Sequence, residues 1–223
     1  MTSVARLTWT TVTFEQFVEE LHSFRDRFYH GRSDEEHAYL RTRELLGDLP
    51  YTEAAELSHE IVWFLNQWKC RLPVAPTTAA LTKWVRAQEG SLQDQRDSTI
   101  LDPRVTRRGA TYQRLYDSLL GFKRQGVSNM GDAAASKILH QLNPALFVMW
   151  DTNIKPYAES YSDFMARMHG LALRLTDSAP AEAQDDLEGY LQTELGYPVR
   201  KTLAKYLDEY NWFVAFGADR VAP

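Results

Sequence analysis

Residues 115–155 read LYDSLLGFKRQGVSNMGDAAASKILHQLNPALFVMWDTNIK. Leu115, Leu119 and Phe122 recur at three- and four-residue spacings, so they line one face of a helix that begins near Ala110. The polar run from Gln125 to Asp132 interrupts it. A second helix is predicted from about Asp132 to Leu142, with Asn143-Pro144 as its breaker. Gly131 lets the backbone approach another atom with no side chain in the way, and the first amides of the second helix have no partner within it. Such a turn beside a helix N-terminus binds an anion, and a backbone phosphate is the natural candidate. Ala133, Ala134 and Ala135 let the two helices pack closely.

Helical spacing extends outward in both directions. Phe14, Phe17, Val18, Leu21, Phe24 and Phe28 lie on one helical face, with Thr13 as a cap. Further helices are predicted from Glu35 to Leu46 with a stop at Gly47, from Ala54 to Trp68 and from Thr77 to Gln88. The C-terminal third predicts helices over Tyr161–Leu175, Ala181–Leu195 and Val199–Phe216. Only Ala5–Val12 alternates like a strand, and residues 89–109 read as a polar loop. There is no repeat of 20–50 residues, no βαβ pattern and no Gly-rich phosphate loop of the nucleotide-binding classes. The expected class is all-α.

The 223 residues are 44% hydrophobic and 25% charged, a globular composition that argues against disorder. No run approaches the ~18 apolar residues of a membrane-spanning helix, and the N-terminal MTSVARLTWTTVTF lacks the pattern of a secretory signal. A single cysteine, Cys70, excludes an internal disulfide framework, a four-cysteine zinc site and a four-cysteine iron–sulfur cluster. These features predict a cytoplasmic protein with no membrane partner. His22, His30 and His37 are eight and then seven positions apart with Gly31 between, so no metal site and no cofactor are expected. No Gly-x-Ser-x-Gly motif supports serine catalysis. The net charge of −5 argues against nucleic acid, but its distribution does not. Residues 103–155 hold 8 Lys/Arg against 3 Asp/Glu, a net +5 between two flanks of −5 each. That is the footprint of a phosphate-facing surface, or a chance fluctuation of surface charge.

The hairpin segment resembles the helix-hairpin-helix superfamily of DNA glycosylases, the endonuclease III type. In that family the hairpin reads Gly-hydrophobic-Gly-x-Lys-Thr-Ala, and a loop after the second helix ends in a catalytic Asp within Asp-Thr-x-Ile. Here the hairpin is Asn129-Met130-Gly131-Asp132-Ala133-Ala134-Ala135, and the loop ends at Asp151-Thr152-Asn153-Ile154. Ala133 and Asp151 are 18 positions apart, which fits the family without a gap. A weaker match, Glu60 to Trp68, looks like the family's buried helix that precedes the plug for an extruded base. The sequence departs from the family in three ways. Asn129 replaces the first hairpin glycine, which asparagine tolerates because it accepts left-handed backbone. Ala133 stands where bifunctional members carry their Schiff-base lysine, and the C-terminal cluster cysteines are missing.

The resemblance implies a monofunctional glycosylase that acts on double-stranded DNA as a monomer. It places a central helical lobe over 51–155, with the hairpin at 126–137, and a second lobe of 1–50 plus 156–223. Asp151 is the catalytic candidate: a carboxylate stabilises the positive charge that builds on the sugar as an N-glycosidic bond breaks. The apolar run Leu146–Trp150 should leave it partly dry, and Thr152 is a candidate cap for a following helix. Plain helix capping is the other reading of Asp151. DNA-binding candidates are Asn129, Gly131, Ala133, Lys137, Lys123 and Arg124. Gln67, Trp68 and Trp150 are base-pocket or wedge candidates, and core packing serves the tryptophans equally well. Lys137 reads as a surface lysine or a substitute for the missing amine, and His140 as structural. Arg104, Arg107 and Arg108 read as phosphate contacts or solvated cations. The 89–109 segment is a candidate substrate loop, and a specialised target such as a hypermodified base of invading phage DNA is one possibility. A DNA-binding module without catalysis and an all-α interaction protein remain as alternatives.

Overall fold

Thr13 opens the first helix with a reciprocal cap: its hydroxyl accepts the Gln16 amide, and the Gln16 side chain accepts the Thr13 amide. The computed structural model describes residues 9–29, 33–47 and 49–216, and among them every regular element is helical. In chain order they are α1 (Phe14–Phe24, prolonged by a π-helical turn over Arg25–Tyr29), α2 (Ser33–Leu46), α3 (Tyr51–Glu56), α4 (Ser58–Gln67), α5 (Val74–Ala87), α6 (Glu89–Gln93), α7 (Gly109–Leu120), α8 (Asp132–Leu142), α9 (Tyr161–Ser178), α10 (Leu187–Leu195) and α11 (Leu203–Phe216). The alternating stretch Ala5–Val12 lies partly outside the described residues, and its described part forms a turn rather than a strand.

Three segments differ from the periodicity reading, each for a local reason. The apolar run Ala54–Trp68 is two helices, because the chain turns at Leu57 and the Ser58 hydroxyl donates back to the Ala55 carbonyl at 2.7 Å. Spacing records which positions are apolar and is blind to a backbone turn between them. Residues 89–109 are no free polar loop. They form α6 and a 3-10 turn over Thr106–Arg108, and they bury Leu92, Ile100 and Val105. Asn143 fixes them from a distance: its Nδ2 donates to the carbonyls of Gln95 at 2.7 Å and Ser98 at 3.2 Å, while its Oδ1 accepts the amides of Ala145 and Leu146 at 3.1 Å. The last helix starts at Leu203, four residues beyond Val199, which stays exposed.

α1 packs on α10 and α11, α2 on α4 and α8, and α7 on α8 and α9. The described helices share one core that runs from Trp9 to Tyr210. α11 is enclosed on nearly every side, including at Lys205, Asp208 and Glu209. A helix buried all round is normally apolar; here charge is carried into the interior in pairs.

Candidate active site

The second hairpin helix forms where the sequence places it. Gly131 is the N-cap of α8, in extended backbone with no side-chain cap. Val127 and Met130 are fully buried and anchor the turn, and Asn129 sits at φ 64°. A left-handed non-glycine residue is strained unless held. Asn129 is held by its Nδ2, which donates to the Arg71 carbonyl at 2.8 Å. Arg71 and Lys69 are also left-handed, at φ 52° and 61°. Their loop is closed by Asn66, whose side chain accepts the Leu72 amide at 2.7 Å and donates to the Leu72 carbonyl at 3.0 Å. The turn after α4 and the hairpin before α8 are therefore one tied unit presenting exposed Lys69, Arg71 and Asn129. Lys123 and Arg124 are exposed on the 3-10 turn that leads into it.

α8 opens with a carboxylate. Asp132 accepts a short hydrogen bond from the Tyr116 hydroxyl and one from Lys155 Nζ at 3.0 Å. Burial opposes ionisation, yet these partners hold its carboxyl below the usual range. A phosphate at this helix end would share it with Asp132, whose charge Tyr116 and Lys155 already spread.

The segment 146–150 returns from α8 and is strapped to it by Ser136. The Ser136 hydroxyl accepts the Trp150 amide at 2.8 Å and donates to the Trp150 carbonyl at 2.9 Å. Asp151 follows, half-buried, with Oδ1 accepting the amides of Asn153 at 2.8 Å and Ile154 at 3.2 Å. Thr152 does not cap the element that follows: the 3-10 turn Lys155–Tyr157 has no side-chain cap, and Asp151 accepts the amides just before it. Burial pushes the Asp151 carboxyl up; the two amides and Lys137 pull the other way, and Asp208 adds to the rise. The amides favour the ionised form, and burial outweighs them.

Asp151 faces a cavity of about 130 Å³ lined by Glu35, Trp68, Lys69, Ala133, Ser136, Lys137, Met149, Trp150, Asp151, Asp208 and Trp212. That is below the ~300–1,000 Å³ of drug-sized pockets, so it admits a ring-sized group. The cavity gathers five residues singled out from the sequence: Trp68, Ala133, Lys137, Trp150 and Asp151. Gln67 is half-buried outside its lining, and none of residues 89–109 reaches it. Lys137 Nζ rests 4.8 Å from the Trp68 ring centre, and Trp68 Nε1 donates to the Glu35 carbonyl at 3.0 Å. Trp150 is 2% exposed, stacked on Phe164 at 5.7 Å and flanked by Tyr161 and Tyr116. Its ring is packed in this aromatic cluster, and the residue also lines the cavity.

Several other candidates are committed elsewhere. His140 is buried, with Nδ1 2.6 Å from the Phe147 carbonyl and Nε2 3.2 Å from the Tyr39 hydroxyl. A carbonyl only accepts, so Nδ1 carries the proton and Tyr39 donates to Nε2. Arg104 is paired with Asp102, and Arg108 donates to the Asp94 carbonyl and to Gln95. No metal-holding cluster occurs among the described residues, nor does any helix there have the length and apolar content to cross a membrane. The sequence reading passed over Asp208, Glu35 and Trp212. The one available signal was the charged Lys205–Asp208–Glu209 set on an otherwise apolar helix.

The site is thus a small indole-walled, carboxylate-bearing cleft beside a hairpin. No protein-family model, curated protein or solved structure matches the chain. The arrangement of its own residues carries the functional argument.

Proposed function

We propose that the chain is a monofunctional DNA glycosylase of the helix-hairpin-helix kind. The observation that carries this reading is Asp151. It is a half-buried carboxylate in a ring-sized cleft that Ala133 of the hairpin helix also lines, beside a turn flanked by exposed cations. The tied hairpin and the exposed Arg71, Lys123 and Arg124 would hold the DNA backbone. The target base would be turned out of the duplex into the cleft.

Water then replaces the base at the sugar carbon. The carbon–nitrogen bond breaks with its electron pair going to the base, which takes a proton from solvent. Asp151 stabilises the positive sugar and accepts the proton of the attacking water. The product is an abasic site. Ala133 has no amine for a Schiff base. The nearby Lys137 lies on the Trp68 indole as a cation–π pair and would have to leave it as a neutral amine to attack.

The deciding experiment incubates the protein with duplexes carrying different modified bases and looks for alkali-labile sites, with Asp151→Asn as control. Release lost in the variant supports the reading. Tight binding of an abasic duplex without release from any substrate would assign a binding module instead.

A further inference from the structure

We propose that Asp208, anchored by Lys205, is a second working carboxylate of this cleft, a positioning residue that acts through Asp151. The proposal rests on reading the cleft as the site of hydrolysis, but its first test does not need DNA.

The argument begins with charge buried where none is needed for packing. Lys205 is fully buried on α11, with Nζ 2.8 Å from Asp208 Oδ2 and 3.4 Å from Glu209 Oε1. Its ammonium also lies 5.2 Å from the Trp68 ring centre and 5.5 Å from that of Tyr39. Glu209 accepts Lys201 Nζ at 2.7 Å and the Tyr197 hydroxyl at 3.1 Å, and Lys201 reaches Glu36 at 2.9 Å. Apolar residues of similar volume often replace such networks without loss of stability. Stability alone is therefore a weak reason for this one.

Its geometry suggests another reason. Of these buried charges only Asp208 enters the lining of the Asp151 cleft. Lys205 fixes where that carboxylate points, and the surrounding carboxylates hold the lysine protonated against the cost of burial. The cleft then contains one carboxylate tied to a lysine and one, Asp151, tied only to amides. Two carboxylates in one site each disfavour the other's charge, so Asp208 makes a proton on Asp151 easier to hold, against the pull of Lys137.

The charges facing Asp151 are Lys137 from α8, Asp208 from α11, and Lys69 and Glu35 across the cavity. Lys69 and Glu35 lie 3.4 Å apart and largely offset each other. Asp208 therefore opposes Lys137 and makes Asp151 a readier acceptor of the proton of the attacking water. A base of higher proton affinity is the more effective one while it remains ionised at the working pH.

The test compares wild type with Asp208→Asn and Asp208→Glu. Asparagine keeps the shape, and Lys205 keeps Glu209, so the fold is expected to survive; a native amide spectrum checks this. Carboxyl-carbon NMR of the free protein then follows the titration of Asp151. It should move toward acid in Asp208→Asn and stay close to wild type in Asp208→Glu. On a cleaved substrate, the acid limb of the pH–rate profile should move the same way. The rate should fall several-fold, well short of the ~10²-fold or more expected for Asp151→Asn. An Asp151 titration unchanged in Asp208→Asn overturns the proposal whatever the DNA result. A shifted titration with no base released from any DNA keeps the coupling and removes the glycosylase reading.

Discussion

At the scale of single residues, the cleft trades stability for reactivity at Asp151. Burial raises its carboxyl above the ordinary 3.8, so the folded protein binds that proton more tightly than the unfolded chain does. Folding stability from this group is therefore lost as pH rises from the unfolded value through the folded one, and the whole cost is present at neutral pH. Asp151→Asn keeps an oxygen for the Asn153 and Ile154 amides and removes the charge. The variant is expected to lose base release by ~10²-fold or more while its urea midpoint at pH 7 stays equal to or above wild type. The two midpoints should converge at a pH well below the ordinary carboxylate range. A variant less stable at pH 7 and inactive for that reason would count against Asp151 as a reactive group. His140 titrates in the opposite sense. Burial first, with Lys205 and Arg43 adding, lowers it from 6.5 to about 3. The unfolded chain binds that proton first, so stability falls as pH drops through the window from 6.5 to about 3. His140→Gln should flatten this part of a stability–pH curve, by at most ~1.4 kcal/mol per pH unit.

At the scale of elements, the decisive piece is the strap between α8 and segment 146–150. One hydroxyl, that of Ser136, satisfies both backbone groups of Trp150, the residue before Asp151. Ser136→Ala leaves a buried amide and a buried carbonyl unpaired, at a cost of about 1–3 kcal/mol. It also frees the Asp151 turn, so base release should fall more than stability does; thermal melts beside single-turnover rates separate the two. The hairpin and α8 were legible in the sequence because local rules decide them: breakers at Gly131 and Asn143-Pro144, and apolar spacing between. Ala133 and Asp151, which the family resemblance pairs, line one cavity. What was not legible depends on partners far along the chain. Asn143 fixes the 89–109 backbone from 48 positions away from Gln95, and nothing in the local composition announces it. Lys205, Asp208 and Glu209 were passed over because hydropathy scores each residue alone, whereas their burial is possible only as a set. The turn at Leu57 escaped for a third reason, since apolar spacing persists across it.

At the scale of the whole molecule, the net charge is −5, yet binding to DNA should weaken as salt rises. The basic middle predicted this from composition, but the structure reassigns its cations. Arg104, Arg108 and Lys155 are engaged by Asp102, by the 94–95 backbone and side chain, and by Asp132, and Lys137 lies in the cleft. The exposed set beside the hairpin is Lys123 and Arg124, joined by Arg71 from the tied loop of an acidic segment, while Lys69 is paired with Glu35. Each phosphate neutralised releases counterions and contributes about 0.9 to the slope of log affinity against log salt. Three such cations predict a slope of roughly −3. Replacing Lys123 or Arg71 by alanine should reduce that slope by about one unit and weaken binding evenly across sequences, since phosphate contacts position the protein without reading bases. Arg104→Ala should leave the slope unchanged, because its charge is already spent on Asp102. Titrations of a fluorescent duplex at several salt concentrations measure all three. A slope unaffected by Lys123 and Arg71 but reduced by Arg104→Ala would move the DNA face away from the hairpin, and with it the reason to place an extruded base against Asp151.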